Sequence, residues 1–247
     1  MLNNETQRHI ISLRLIEIFD ILEIQNRLPE YMSMSFEERL EHLINEIYIR
    51  KTQSKIDRLI KEAKFRYQNA DCNDIQCPSG RSIDMTTINN LKSGNFIQYH
   101  TNICIYGATG SGKTWIANAI GRQICFHCKR VKYIRLPDLI TDFDILTTDK
   151  EKKSFINKIS NYDLLIIDEW VKDPLTDANI GFIFEVIERR YRNYSTIFCS
   201  QYSPNDWYSR MGGSTQSEAV LDRIVHTLCN IDCGNFNMRE LLESPKI

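Results

Sequence analysis

In the second half of this chain, short apolar runs alternate with segments of helical period. Asn102-Ile-Cys-Ile-Tyr106, Val131-Lys-Tyr-Ile-Arg-Leu136, Asp163-Leu-Leu-Ile-Ile167 and Ser195-Thr-Ile-Phe-Cys199 have strand length. A continuous run such as 163–167 suits a strand buried on both faces of a parallel sheet. Between these runs, Trp115, Ile116, Ala119, Ile120 and Ile124 fall at helical spacing. Pro137 suits the first turn of a helix over 138–143, and further helices are predicted over 154–160 and 177–194, the last carrying Phe182, Ile183, Val186 and Ile187. Strands alternating with helices predict βαβ units and a mainly parallel sheet, hence an α/β domain over 101–247.

The first part of the chain has helical period only. Ile10, Leu13, Ile16, Ile18, Ile21, Leu22 and Ile24 predict one or two helices ending near Pro29. Ser35-Phe-Glu-Glu38 reads as a capping box, after which Phe36, Leu40, Leu43, Ile44 and Ile47 keep the period. Over 50–67, Ile56, Leu59, Ile60 and Ala63 share one face. A small all-α domain is therefore expected over 1–68. Polar and turn-forming residues from Asn69 to Asn95, with one short helix over 85–91, predict a linker over 69–100.

Composition adjusts this picture in three places. No apolar run approaches bilayer length, and residues 1–14 mix Asn, Glu, Arg and His into their apolar positions, so neither a membrane span nor a secretory signal is predicted and a cytoplasmic location is expected. The 8 cysteines are then expected as reduced thiols. Cys125 and Cys128 bracket His127, but no second pair at zinc-ligand spacing follows, so they read as small buried side chains. The net charge of −1 means that any affinity for nucleic acid must come from local patches. Such a patch exists: Arg50, Lys51, Lys55, Arg58, Lys61, Lys64 and Arg66 are opposed only by Asp57 and Glu62. These cations are candidate contacts to DNA phosphates, although the pattern fits a solvated helix face equally well.

The chemistry concentrates on Gly107-Ala-Thr-Gly-Ser-Gly-Lys-Thr114, a G-x-x-x-x-G-K-T run between a predicted strand and a predicted helix. Such a loop turns backbone N–H groups toward nucleotide phosphates at the positive end of the helix. The cofactor-binding stretch is read as Gly107, Ala108, Thr109, Gly110, Ser111, Gly112, Lys113, Thr114 and Trp115, for ATP. Lys113 reaches the β and γ phosphates, and the Thr114 hydroxyl ligates Mg²⁺. Asp168-Glu169 closes the apolar strand 163–167, placing Asp168 on the metal and Glu169 on the attacking water. Gln201 follows the next strand, where its amide meets the γ phosphate or the water if that strand lies beside the P-loop strand. Arg223, on a helix starting near Ser217, reads either as a finger acting on a neighbour's nucleotide or as half of a surface ion pair.

The order Gly107 to Thr114, Asp163 to Glu169, Glu188-Arg-Arg-Tyr-Arg192, Ser195 to Gln201 and Leu221-Asp-Arg223 resembles the IstB family of insertion-sequence transposition helpers. These are AAA+ ATPases related to the DnaC and DnaI helicase loaders. Met34-Ser-Phe-Glu-Glu-Arg-Leu40 and Leu59-Ile-Lys-Glu-Ala-Lys64 are similar to that family's N-terminal region, so the likeness spans nearly the whole chain. The P-loop departs from it with Ala108-Thr109 where Pro-Pro is usual, at positions that contribute backbone.

The resemblance implies a three-layer P-loop NTPase core of the AAA+ kind, without a helical lid after Phe236-Asn-Met-Arg239. It puts Gln201 at the polar sensor position and Arg223 at the arginine-finger position. It further implies a homo-oligomer with ATP at its subunit interfaces, assembled on double-stranded DNA, that recruits and stimulates a partner transposase. A helicase loader with the same core, gripping a hexameric helicase and single-stranded DNA, is the alternative. A nucleotide-gated scaffold without turnover is a third reading, against which Glu169 argues.

Overall fold

The computed structural model describes residues 2–77, 83–226, 228–238 and 240. Residues 78–82 of the expected linker, and Arg239 and 241–247 of the expected 101–247 domain, lie outside the described residues. The chain divides into two compact units, Met1–Arg58 and Leu59–Ile247.

The N-terminal unit contains α1 (Asn4–Ser12), α2 (Glu17–Arg27) and most of α3 (Phe36–Ala63). Ile21, Leu43 and Ile47 form its small core, with Leu15, Ile18 and Leu22 packed against them. The capping box is present: the Glu38 carboxylate accepts the Ser35 N–H at 2.7 Å and the Ser35 hydroxyl accepts the Glu38 N–H at 3.2 Å. The two helical patterns read over 36–47 and 50–67 are one helix of 28 residues, because no Gly or Pro interrupts it. It stops where Lys64 takes a left-handed φ of 56°. Phe36, Leu40, Ile44, Tyr48 and Ile49 remain exposed on this unit.

The second unit continues with α4 (Met85–Lys92), α5 (Asn95–Gln98), β1 (Asn102–Tyr106), α6 (Lys113–Phe126), β2 (Val131–Arg135), α7 (Leu136–Asp144) and α8 (Asp149–Ser160). It is completed by β3 (Leu164–Asp168), α9 (Asp177–Arg190), β4 (Ser195–Ser200), α10 (Trp207–Arg210), α11 (Thr215–Val225) and β5 (Leu228–Asp232). The sheet runs β2-β3-β4-β1-β5, and each pairing is parallel. Strand alternation divides its side chains between two cores. Ile103, Ile105, Leu164, Ile166 and Ile197 pack with Ile116, Ile120 and Ile124 of α6. Cys104, Leu165, Ile167 and Phe198 pack with Leu139, Ile183, Val186 and Ile224 on the other face. The result is the three-layer α/β arrangement.

Two features go beyond the sequence reading. β5 has one buried residue, Ile231, among Cys, Asn and Asp, so it lacks the apolar run that marks the other strands. The stretch expected as a linker buries Ala70, Cys72, Ile75, Ile88, Leu91, Phe96 and Ile97 in the α6 core. Its apolar residues are sparse, and these seven are inside while Tyr99 is exposed.

Arg190, at the end of α9, is 2 % exposed. Its Nε donates to Thr196 Oγ1 at 2.9 Å, Nη1 to the carbonyls of Ser160 and Tyr162 at 2.9 and 2.8 Å, and Nη2 to the Ser195 carbonyl. One side chain thus ties α9 to the end of α8 and the start of β4. Arg190→Met is expected to lower the unfolding free energy by about 3–5 kcal/mol in urea denaturation, since it strands several buried acceptors together. A loss below about 1 kcal/mol would show that these bonds count no more than surface pairs.

Candidate functional site

The loop leaving β1 enters α6 with Gly112 in the left-handed region at φ 90°. At Gly107 a side chain is excluded, because a Cβ there would lie 2.7 Å from the Gly234 carbonyl, at φ 140°. The same segment is tied to the loop by main-chain bonds, Ala108 N–H to Gly234 O at 2.9 Å and Met238 N–H to Gly110 O at 3.0 Å. The Lys113 ammonium donates to the carbonyls of Gly107 and Ala108 at 2.8 and 2.7 Å. These contacts curl the loop around a cleft of about 200 Å³.

Asp168 ends β3 at the cleft and is 4 % exposed. Its Oδ2 accepts from Thr114 Oγ1 and from Tyr133 Oη, each at 2.8 Å, and its Oδ1 accepts the Glu169 N–H at 2.8 Å. Burial and the adjoining Asp168 carboxylate push the Tyr133 phenol above its ordinary pKa, so it stays a donor. Glu169 follows in the left-handed region at φ 56°. This conformation is unfavourable by about 1–2 kcal/mol for a residue with a Cβ. It is anchored next door, where Trp170 N–H donates to Cys199 O at 2.8 Å and the Trp170 ring is buried against Phe198 and Trp207 at 4.6 and 5.8 Å. The two Glu169 oxygens face different cations, Arg135 Nη1 at 3.7 Å and Lys172 Nζ at 3.6 Å.

Of the residues singled out from sequence, Thr109, Gly110, Gly112, Lys113, Thr114, Trp115, Asp168, Glu169 and Gln201 line this one cleft. Gln201 arrives because β4 lies beside β1, with Ser200 opposite Tyr106. Arg223 is not among the lining residues. On α11 it pairs with Glu188 of α9, sits 4.7 Å over the Phe184 ring and donates to the Ala219 carbonyl at 2.8 Å. Of the helical cations, Arg50 pairs with Asp20 and Glu46 at 3.9 and 3.5 Å, and Lys51 donates to the Arg14 carbonyl. Lys55 belongs with them to the N-terminal unit, and Lys61 and Lys64 to the second.

Sequence reasoning missed Tyr133, Arg135, Tyr67 and Lys172. Tyr133 and Arg135 come from β2, whose parallel register sets Arg135 opposite Asp168. Tyr67 lines the cleft beside Trp115, ring centroids 5.4 Å apart, and its N–H donates to the buried Asn118 of α6 at 2.9 Å. The available signal was Arg135 at the carboxyl end of a strand, the edge at which parallel sheets place their ligands. Cys125 is fully buried, which raises its thiol pKa to about 12. Among the described residues, no three His, Cys, Asp or Glu side chains gather as metal ligands by themselves.

A parallel sheet of this order, with a glycine loop leaving β1 and a buried carboxylate ending β3, defines a P-loop NTPase fold of the AAA+ kind. The family of IstB-like ATP-binding proteins matches residues 9–244, and the chain belongs to it. The chain is 33 % identical over 201 residues to an ATP-binding protein of insertion sequence IS1162 from Pseudomonas fluorescens, covering 81 % of this chain and 87 % of that one. It is 30 % identical over 210 residues to an insertion-sequence ATP-binding protein of Sinorhizobium fredii, covering 85 % of each. Among solved structures, the DnaC helicase loader superposes with a TM-score of 0.58 at 21 % identity, over 68 % of this chain and 98 % of that chain. AMPPCP-bound DnaA from Aquifex aeolicus gives 0.58 at 19 % identity, over 72 % and 55 %. Likeness at this identity shows a shared fold. The family and the fold class read from the residues are both borne out. No helix among the described residues is long and apolar enough to cross a membrane.

Proposed function

We propose that this chain hydrolyses ATP and, as a homo-oligomer on double-stranded DNA, recruits and stimulates the transposase of an insertion sequence. The observation that carries the catalytic part is the convergence of Lys113, Thr114, Asp168, Glu169 and Gln201 on one cleft. The loop amides and Lys113 would hold the phosphates, and Tyr67 and Trp115 would flank the base. Thr114 and Asp168 suit Mg²⁺: they are two hard oxygen donors already 2.8 Å apart. A bound Mg²⁺ would neutralise charge on the β and γ oxygens. Glu169 takes the proton of the attacking water as its oxygen bonds to the γ phosphorus and the bond to the β–γ bridging oxygen breaks, releasing ADP. Gln201 orients that water or the γ oxygens.

Membership of the insertion-sequence family supports the transposase as partner. The exposed Phe36, Leu40, Ile44, Tyr48 and Ile49 supply apolar surface for association, and Arg50, Lys51, Lys55, Arg58, Lys61 and Lys64 supply cations for phosphate contacts.

Binding to duplex and single-stranded DNA with ATP, ADP or no nucleotide, across a salt series and with size followed by light scattering, tests this reading. ATP-dependent assembly on duplex is expected, with affinity falling steeply as salt rises. A preference for single strands would transfer the assignment to a helicase loader.

A further inference from the structure

By sequence, Arg66 falls in with the cations of the basic helical face. In the fold it stands apart from them. α3 stops at Ala63, Lys64 takes the left-handed turn, and Arg66 lies past the end of the helix. It belongs to the same compact unit as the nucleotide cleft and lines that cleft together with Lys113, Asp168 and Gln201. Its neighbours on either side are pinned to α6. Phe65 is buried and its ring closes on Gly121, where an added Cβ would lie 2.8 Å from Cε1. The Tyr67 N–H donates to Asn118 Oδ1 at 2.9 Å. These two anchors hold the Arg66 backbone at the cleft while its side chain stays exposed.

Three cations line the cleft, and two of them are engaged. Lys113 donates to the loop carbonyls, and Lys172 stands 3.6 Å from Glu169 Oε2. Arg66 has no hydrogen bond and no ion pair among the described residues; its contact is the Tyr67 ring, whose centroid lies 5.8 Å from the guanidinium carbon. Burial and the Asp168 carboxylate raise the Tyr133 phenol pKa, and the Arg66 guanidinium opposes them, so Arg66 stands within electrostatic range of the Tyr133–Asp168 pair. That pair sits at the end of the cleft where Thr114 and Asp168 suit the metal and where the third phosphate belongs. A triphosphate arriving there meets two carboxylates of its own sign, Asp168 and Glu169. A guanidinium with unused donors offsets part of that repulsion and matches the geometry of phosphate oxygens.

We propose that Arg66 binds the γ phosphate of ATP held by its own chain, so that the segment following α3 distinguishes ATP from ADP. The proposal rests on the reading of the chain as an ATPase and adds to it a phosphate-binding side chain from outside the loop and the acidic strand end. Arg66 differs from Arg223 in acting within its own chain, since it lines that chain's cleft and Arg223 does not.

The test measures nucleotide affinity, turnover and urea unfolding in the full chain. Arg66→Gln should weaken ATP about 10–100-fold, the loss of a charge-assisted hydrogen bond to phosphate, and leave ADP within about twofold of wild type. Arg66→Lys, which keeps the charge and loses the planar fork, should recover part of the ATP affinity. The urea midpoints of both variants should match wild type, because the exposed side chain has no hydrogen bond to lose. At ATP near the wild-type KM, turnover of Arg66→Gln should fall by a similar factor. Mixing it with Glu169→Gln should restore none of it, since each nucleotide site then lacks one of the two side chains. Equal losses for ATP and ADP would overturn the assignment to the γ phosphate, and unchanged affinity for both would overturn the contact. Recovered turnover in mixtures that co-assemble by light scattering would overturn action within one chain. A lowered urea midpoint in both variants would return Arg66 to a role in the fold and overturn the proposal. Each of these results leaves the ATPase reading standing, whereas a wild-type chain that binds neither nucleotide would overturn that reading and the proposal with it.

Discussion

Glu169→Gln is expected to bind ATP with near wild-type affinity and to lose turnover by about 10²–10⁴-fold, the usual contribution of a positioned general base. The substitution keeps shape and hydrogen-bonding reach and removes the negative charge that accepts the water's proton. Binding should survive because Glu169 is not needed to build the loop. Its N–H is already satisfied by Asp168 Oδ1 at 2.8 Å, and the turn is anchored through Trp170 to Cys199 O. Its cation contacts, at 3.7 and 3.6 Å, are long and partly solvated, so neutralising them disturbs the fold little. Single-turnover phosphate release measures the chemical step, and fluorescence titration with a labelled ATP analogue measures affinity. Turnover unchanged in the glutamine variant would remove Glu169 from the mechanism.

Arg223→Ala is expected to retain ATP and to lower turnover by about 10³-fold, the effect of withdrawing an arginine finger. Within its own chain, Arg223 is held on α11 against Glu188 and Phe184 and does not line the cleft, so the proposed action on nucleotide would be on a neighbour's. Mixing Arg223→Ala with Glu169→Gln checks this. Where the two variants meet, one class of interface combines an intact Glu169 with an intact Arg223, and part of the lost turnover should return. The Glu188 pair is partly exposed, with side-chain exposures of 24 % and 47 %, so its loss should leave folding nearly unchanged. Absence of rescue in mixtures that co-assemble by light scattering would assign Arg223 to that ion pair alone.

Much of the candidate site was legible because it is written in contiguous residues. A strand, a glycine loop and a helix follow one another from Asn102 to Phe126. An apolar run ends in Asp168 at the edge where the loop lies. Gln201 was reachable by assuming that its strand lies beside the P-loop strand, which the pairing of β1 with β4 bears out. The stretch 69–100, expected as a linker, contributes buried residues to the α6 core that its own pattern does not announce. Its apolar residues are few and lack a period, and burial of each one depends on the surface that α6 offers, not on a pattern of its own. β5 escaped for a related reason, being held by its pairing with β1 more than by apolar content.

The sequence by itself determined the order of the local elements, the phosphate loop and the acidic strand end, because each is specified by side chains within a few positions of one another. The tertiary structure alone decided which distant groups govern those residues. Tyr133 and Asp168 are 35 positions apart and meet only because β2 and β3 pair in parallel. The same register brings Arg135 to Glu169, and the packing of Tyr67 on α6 brings an aromatic ring to Trp115. No spacing rule along the chain encodes such meetings, since strand order and register follow from the burial of whole faces and not from any local signal.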